Sequence, residues 1–508
     1  MNTNTLTLPT LLQTPARVGW RGWVALAVLM LPALLVSVDN TVLSFAVPQI
    51  ARDLEPTSIE QLWIVDAYPL VLAALLVTMG TLGDRFGRRR MLLVGAVGFA
   101  AASVLAAFAS TAGMLIAARA VMGVFGAMLM PSTLSLLRAV FPDRDQRRLA
   151  VAVWAAAFSA GAALGPIVGG LLLEHFAWGS VFLLSVPVLV PLLVLTPLLV
   201  PESRDPRPGR IDLASILLSL STMVPIVYAI KEFAVEGGGL GVWMLFGVGA
   251  ASGALFVRRQ LRLPVPMLDM RLFRRGAFSG ALLVNLLSVI ALVGFLYFVS
   301  QRLQLVAGLS PMEAGFALVP GLATMIVAGL VVVPIAKRVR ARILVPAGLG
   351  FSVAAYVAIA LGAGDLGVVV GAFVLLGLGI GTAETVSNEL ILSSAPPEKA
   401  GAASAVSETA YELGAVLGTA ILGGLLTALY RANLLLPAGL PVDAAHAAQE
   451  TLGGAMLAAD TLGGDLGVAL ADAAARAFDQ GVVVTALIGA VLVAVAAAVA
   501  AVSLRSAR

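Results

Sequence analysis

Apolar runs long enough to cross a bilayer alternate with short polar breaks along almost the whole chain. A helix needs about 20 apolar residues to span roughly 30 Å of hydrocarbon. Fourteen runs reach that length, near residues 23–47, 61–82, 91–110, 113–137, 149–173, 178–200, 211–231, 240–257, 278–300, 311–334, 343–362, 366–391, 401–428 and 481–503. The pattern predicts an all-α polytopic membrane protein with fourteen transmembrane helices. Two of the breaks are long. Residues 258–277 (RRQLRLPVPMLDMRLFRRGA) read as a basic connector along the membrane surface, its arginines toward anionic headgroups. Residues 429–480 are rich in alanine and acids and broken by Gly-Gly at 453–454 and 463–464. They predict two short helices, 443–461 and 466–479, folded as a hairpin cap.

Composition narrows the class. The chain of 508 residues is 60% hydrophobic and 12% charged, with a mean hydropathy of +1.01, where a soluble protein carries about 25% charge. It has no cysteine, which excludes disulfides and thiolate metal sites, and its two histidines, His175 and His446, fall in predicted loops. Neither a metal nor a cofactor is expected. No GxxxxGK[ST] loop and no catalytic constellation occurs, so the sequence reads as neither an enzyme nor an ATP-driven pump. Residues 1–20 are polar and the first apolar run spans, so no cleavable leader is expected.

The net charge of +4 reads as topology rather than nucleic-acid binding. With the N-terminus inside, cytoplasmic segments hold 26 of the 32 Lys and Arg. Arg52, Lys231, Arg302, Arg431 and Arg476 fall outside, and Arg119 falls within a span. The asymmetry follows the positive-inside rule and puts both termini in the cytoplasm of a bacterial cell, the chain lying in the inner membrane. The expected partners are membrane lipids and small molecules, and the expected state is a monomer.

A repeat organises the spans. LGDRFGRRRM (82–91) and IAKRVRARIL (335–344) each join an even-numbered span to the next odd one. The match pairs span 2 with span 10, which implies two six-helix halves with two helices inserted between them. The resulting division is 1–210 for the N-terminal bundle, 211–257 for the inserted helices and 258–277 for the connector. Residues 278–508 form the C-terminal bundle with the 429–480 hairpin. Halves related by an axis along the membrane normal are a transporter arrangement, with the substrate between them near midplane.

Within the spans lie ionisable residues that hydrocarbon disfavours. At about 1.5 Å per residue, Asp39 sits roughly 24 Å and Arg119 roughly 21 Å from the cytoplasmic edge. The two can pair. Asp66 lies in the outer third of span 2, beside Trp63 and Tyr68. Glu408 and Glu412, four apart, share one face of span 13. Desolvation disfavours the charged form of any carboxylate. A buried acid that accepts either a proton or a cation, but not both, exchanges the two. Asp39 and Glu412 are the first candidates for that work, with Asp66 and Glu408 sharing it. A structural ion pair with Arg119 stays open for Asp39, and a solvated structural acid for Asp66. Glu384 and Glu389 in span 12 lie nearer the cytoplasm and read as lining an inner vestibule.

Trp20, Trp23, Trp63 and Trp178 lie at span ends, as interfacial belt residues do. Phe158, Tyr297 and Tyr411 lie deeper and could offer cation–π faces to a ligand. In the 83–90 loop, Gly83 and Gly87 permit a tight join, Asp84 can face a helix N-terminus, and Arg85, Arg88 and Arg89 supply positive charge. Arg88 and Arg89 offer breakable salt bridges between the halves. In span 5, Gly161, Gly165, Gly169 and Gly170 form a flat stripe around Pro166, on which another helix can pack closely.

Several of these stretches resemble one family. GTLGDRFGRRR (80–90) resembles the loop 2–3 signature of the major facilitator superfamily, and SAGAALGPIVGG (159–170) the motif of its antiporters. VDNTVLSFAVPQI (38–50) and QLWIVDAYPLVLAALL (61–76) resemble the first helices of its fourteen-helix drug:proton antiporter branch. ARAVMGVFGAMLMPSTLSLLR (118–138) and SETAYELGAVLG (407–418) are similar to those of QacA- and LfrA-type multidrug exporters. The resemblance implies a proton-coupled antiporter exporting lipophilic cations, such as quaternary ammonium compounds and cationic dyes. It makes the 83–90 loop a gate latch and the span 5 stripe an antiporter hinge. Two departures stand out. Residues 315–333 of span 10 (GFALVPGLATMIVAGLVVV) hold no acid, and span 13 has Ser407 where such exporters have a second glutamate, so monovalent cations fit better than divalent ones. A substrate-specific solute carrier of the same fold is the alternative, and a non-transporting membrane sensor a more remote one.

Overall fold

A computed structural model of the chain describes residues 18–204, 212–263, 266, 268, 270–362, 364–394 and 400–504. Among the described residues every regular element is a helix. The first half contains Trp20–Leu54 (α1), Ser58–Phe86 (α2), Arg88–Ala107 (α3), Ala112–Val140 (α4), Arg144–His175 (α5), Ser180–Leu183 (α6) and Ser185–Leu199 (α7). Leu213–Glu236 (α8) and Leu240–Arg262 (α9) follow. Then come Gly276–Gln301 (α10), Pro311–Ala336 (α11), Ala341–Gly362 (α12), Leu366–Ser393 (α13), Ala400–Gly418 (α14) and Gly424–Asn433 (α15). Val442–Glu450 (α16), Leu452–Leu462 (α17) and Gly464–Ser503 (α18) close the chain.

Thirteen helices among the described residues are long and apolar enough to cross a membrane. They coincide with thirteen of the fourteen runs read from the sequence. The remaining run lies in α5, whose Leu164–His175 segment is apolar but shorter. Helix starts follow local chemistry. Thr57 with Glu60, and Ser310 with Glu313, form capping boxes on α2 and α11, and Pro311 occupies the first turn of α11. Asp212 and Asp365 cap α8 and α13. Arg259 donates to Asp212 (2.7 Å), which fastens the far end of α9 to the start of α8. That bond, foremost, holds the Asp212 carboxyl down at about 2. Thus the basic 258–277 stretch begins as the last turn of α9; Leu272–Arg274 forms a 3₁₀ turn. The boundary expected at 210–211 lies outside the described residues.

The first and last described residues come to one end of the molecule. The N–H of Val18 donates to Gln146, the Trp23 ring lies 5.3 Å from Phe141, and Ser503 packs at Gly280. The two repeat loops lie there as well, at the α2–α3 and α11–α12 junctions. The opposite, hairpin end differs from its expected form. The first expected helix is two, α16 and α17, divided where Thr451 caps the second. The second expected helix is no separate element, because α18 runs unbroken for 40 residues from Gly464 into the last span. Its alanine-rich sequence has no breaker once Gly463 is passed.

Two cations assigned to the outside are instead buried within the protein. Arg302, in a π-helical turn after α10, bonds Asp479 of α18 at 2.9 Å, and Lys231 lies inside α8's packed face. A count of charges along the chain places a residue near a span's end in water; burial beside an acid keeps it within.

The hairpin reaches across the molecule. Ser58 at the start of α2 donates its N–H (2.9 Å) and hydroxyl (2.9 Å) to the Glu450 carboxylate, and Tyr430 holds the Ala448 carbonyl at 2.8 Å. Burial raises the Glu450 pKa, but the Ser58 donors outweigh it, so the carboxyl sits below its ordinary 4.5. A depressed carboxyl stabilises docking above its unbound value and loses that contribution as pH falls through the bound one. Hairpin docking should therefore be complete at pH 6 and weaken progressively below about 4.5. Spin labels at Asp53→Cys and His446→Cys, in a chain with no native cysteine, should show a distance distribution that broadens at low pH. Glu450→Gln should broaden it already at pH 7.

Candidate functional site

Prolines in α1 and α2 prepare the centre. Pro69 has no N–H, so the carbonyl of Val65 loses its helical partner. Arg119 of α4 takes it, donating Nη2 to Val65 O (3.3 Å) and Nε to Ile64 O (3.2 Å). Its Nη1 lies 2.5 Å from Asp39 Oδ2, and its guanidinium stands 4.7 Å from the centre of the Tyr68 ring. Arg119 and Asp39 are both buried, at 1% and 7% exposure. Every face of this guanidinium is engaged, so the pairing anticipated from depth alone is a fixed junction of α1, α2 and α4.

Beside Asp39, Asn40 points to the other half. Its amide donates to both carboxylate oxygens of Glu412 on α14, at 3.3 and 3.4 Å. Glu412 is fully buried, and among the described residues no cation pairs with it. One turn earlier, Glu408 has a buried carboxylate oxygen without a hydrogen-bond partner, as does Glu384 on α13. Glu389 is exposed. Near Glu408, Ser407 donates to Asn388 Oδ1 (2.8 Å), and Asn285 donates to the same oxygen at 3.1 Å. The residue that departs from the exporter pattern thus belongs to a neutral polar cluster.

Asp66 does not face water. It is fully buried and lies 2.9 Å from Lys231 Nζ, which also donates to the Leu62 carbonyl at 3.0 Å. Trp63, read as an interfacial belt residue, lies with its ring centre 3.9 Å from that ammonium. Sequence reasoning missed Lys231 as a site residue. The available signal was height: a lysine five residues before the end of α8 matches an acid eight residues into α2.

The aromatic candidates divide. Tyr297 is buried and accepts from Gln61 at 2.8 Å. Tyr411 is half-buried between Glu408 and Glu412 along α14. The Phe158 side chain lies outside the described residues.

The glycine stripe lies on α1 beside the acids. A Cβ at Gly165 would fall 1.8 Å from Thr41 Oγ1, one at Gly161 2.7 Å from the Leu34 carbonyl, and one at Gly169 2.7 Å from Val42. Gly170 instead meets α11 at Met312, and Gly315 of α11 meets the Pro166 carbonyl. Close approach therefore joins α5 both to α1 and to the C-terminal part. More cross-contacts follow toward the hairpin end. Pro48 frees the carbonyl of Ser44, and Ser300 of α10 donates to it at 2.8 Å; Gln304 donates to Phe45 O at 3.2 Å. Hydrogen bonds joining residues 18–204 to residues 270–504 include Asn40–Glu412 at mid-depth and, toward the hairpin end, Ser58–Glu450, Gln61–Tyr297, Ser300–Ser44 and Gln304–Phe45. These contacts fasten the two parts of the chain toward the hairpin end.

The loop at 83–90 has its partners within the first part of the chain. Asp84 and Arg88 pair at 2.7 Å across one helical turn. Gly87 adopts φ +110°, a conformation side chains rarely take, and Glu202 fills the place its Cβ would need. Glu202, unnoticed in the sequence, accepts from the Arg89 N–H at 3.0 Å, and the Arg89 guanidinium donates to Val200 O at 3.1 Å. Arg85 lies 5.9 Å from the Phe86 ring. Contrary to the expectation from the sequence, among the described residues Arg88 and Arg89 form no salt bridge to the other half: Asp84 and the segment after α7 capture both arginines.

Comparison with known proteins follows the same lines. The sequence profile of the Major Facilitator Superfamily matches residues 29–419. The chain is 55% identical to the multidrug efflux pump LfrA of Mycolicibacterium smegmatis, over 98% of each chain. It is 37% identical to the methyl viologen resistance protein SmvA of Salmonella typhimurium, covering 90% of this chain and 93% of that one. It is 32% identical to the tetracenomycin C resistance and export protein of Streptomyces glaucescens, covering 81% and 78%. In three dimensions it is similar to a bacterial homologue of the human lysosomal transporter Spinster, crystallised inward-facing and unoccupied. The TM-score is 0.66 at 17% identity, covering 96% of this chain and 97% of that one.

The Arg119 junction generates a stability test. Removing one member of a buried pair strands a charge and typically costs about 3–5 kcal/mol, whereas replacing both by apolar groups is often close to neutral. Arg119→Met and Asp39→Leu should each lower the thermal midpoint of the purified protein sharply. The double variant should recover most of the loss.

Proposed function

We propose a function from one premise: the chain belongs to the Major Facilitator Superfamily and, within it, to the multidrug efflux family. It exports lipophilic organic cations in exchange for protons. One observation carries this reading. Glu412 is a fully buried carboxylate with no cationic partner among the described residues, touched across the two parts of the chain by a neutral amide from Asn40. Asp39 and Asp66 each have a basic residue at hand; Glu412 has a place for a proton or for an arriving cation.

The exchange then needs no wire between distant sites. A proton on Glu412 or Glu408 neutralises the acid and leaves no counter-charge for a drug. A bound organic cation supplies the neutralisation and excludes the proton. Tyr411 and the faces of α1 and α14 provide the apolar setting, and the Asp39–Arg119 junction holds α1 in position for Asn40 to reach. Each charge crossing the membrane field is worth about 2.3 kcal/mol per 100 mV, which drives the cycle from the proton gradient.

The fourteenth span is α5, and the spans form two six-helix halves with α8 and α9 inserted between them. The terminal end faces the cytoplasm, so the contacts toward the hairpin end close the outer side. Rocking outward breaks the contacts of Ser44 with Ser300, Phe45 with Gln304 and Pro166 with Gly315. Gly161, Gly165 and Gly169 let α5 slide on α1 as this occurs, and the 83–90 loop stiffens the N-terminal half as it moves. The methyl viologen named for SmvA is divalent; with no acid in α11's membrane-embedded stretch, monovalent cations are the better substrates here.

Energised everted vesicles test the proposal. Wild type should take up ethidium and dissipate the proton gradient as it does so. Glu412→Gln should lose both by more than about tenfold, a loss of at least about 1.4 kcal/mol in the limiting step. Equal exchange in wild type and Glu412→Gln would remove Glu412 from coupling, and no ethidium movement in wild type would remove this substrate class.

A further inference from the structure

Lys231 belongs to α8, which packs on α2, on the π-helical turn Thr419–Gly423 and on α15; α9 packs on α8. An ammonium fully withdrawn from solvent is costly unless each of its donors finds a partner. Here three kinds of partner converge. The Asp66 carboxylate lies 2.9 Å away and the Leu62 carbonyl 3.0 Å, and the Trp63 ring centre is 3.9 Å from Nζ. Tyr228 of α8 backs the Trp63 ring at 6.1 Å. A carboxylate, a carbonyl and an aromatic face around one nitrogen are what binding sites use to recognise ammonium ions.

We propose that Leu62 O, Trp63 and Asp66 form a binding cage for primary alkylammonium ions, and that Lys231 is its resident, tethered occupant. Primary amines are the class because Lys231 itself presents one here, reaching both Asp66 and Leu62 O, two N–H contacts that tertiary and quaternary ammonium ions cannot both make. While Lys231 stays in place, Asp66 is withheld from any other cation. The inserted helix α8 thereby carries a built-in competitor, and whatever displaces α8 opens a second cationic site on α2.

The cage is tested by vacating it, in a readout that needs no transport. Purified Lys231→Ala is titrated with n-propylammonium chloride, and tryptophan emission and the thermal midpoint are recorded, with 1-propanol, tetramethylammonium chloride and sodium chloride as controls. The expected result is a saturable emission change and a saturable rise in midpoint with n-propylammonium only. In wild type the ammonium must displace Lys231, so its apparent affinity should be at least about tenfold weaker. Lys231→Ala/Asp66→Asn should show neither response, and Lys231→Ala/Trp63→Phe should lose the emission change. No saturable response in folded Lys231→Ala, or an equal response in Lys231→Ala/Asp66→Asn, would overturn the proposal. If Lys231→Ala folds only when n-propylammonium, and not 1-propanol, is present during extraction, the cage stands. If n-propylammonium does not recover it while Lys231→Arg folds normally, the cage falls. Ethidium exchange by wild type, measured separately, reports on the transport reading and is not needed for this one.

Discussion

A charge taken into hydrocarbon loses its water, and whatever replaces that water determines the architecture around it. In this protein the replacement for Arg119 is assembled from three helices. Asp39 comes from α1, and two carbonyls come from α2, one of them released by Pro69. Neither the proline nor the aspartate is tolerable alone in a span; together with the arginine each satisfies another's deficit. The junction fixes how α1, α2 and α4 are rotated, and therefore which face of α1 carries Asn40 toward α14. The Glu412 contact and the bed on which the glycines of α5 lie both depend on that rotation.

The acids separate into two kinds according to what compensates them. Asp39 and Asp66, on the N-terminal side, lie beside Arg119 and Lys231. Among the described residues Glu412 is hydrogen-bonded by Asn40 and paired with no cation, and Glu408 and Glu384 each hold a buried oxygen without a hydrogen-bond partner. Compensation is thus asymmetric across the interface between the two parts of the chain. Compensated acids hold helices together, and uncompensated ones respond to the arrival of a proton or a cation, because only their energy changes greatly when a charge is added.

The contacts that close the hairpin end are individually modest and of one character. They are hydrogen bonds to carbonyls, close glycine approaches and the Ser58–Glu450 capping contact, with none of the fully buried ion pairs found deeper in. Joined without desolvated ion pairs, whose rupture costs several kcal/mol each, such an interface is less costly to separate than the Arg119 junction. The 83–90 loop obeys the complementary rule. Its arginines bind Asp84 and the segment after α7, within one part of the chain, and so brace that part.

Thirteen of the spans were legible in the sequence because apolar length is a property of contiguous residues. The pairing of Asp39 with Arg119 was legible too, since depth follows from counting along two helices. The packing role of Gly161, Gly165 and Gly169 could be read from their spacing of four. What lay beyond the sequence concerns rotation and partnership. Lys231 looked like a loop cation because its place near a span's end is local, whereas its burial depends on α8 docking against α2. Asn40 and Glu202 acquired their roles only where helices remote in the chain meet. The single 40-residue α18 replaced an expected hairpin arm because a lone glycine such as Gly481 ends a helix only where its surroundings allow it, and here it is packed against Leu426 of α15. Hydrophobicity and depth are written residue by residue; the azimuth of each helix is set by its neighbours, and the tertiary structure alone decides which buried charge faces which.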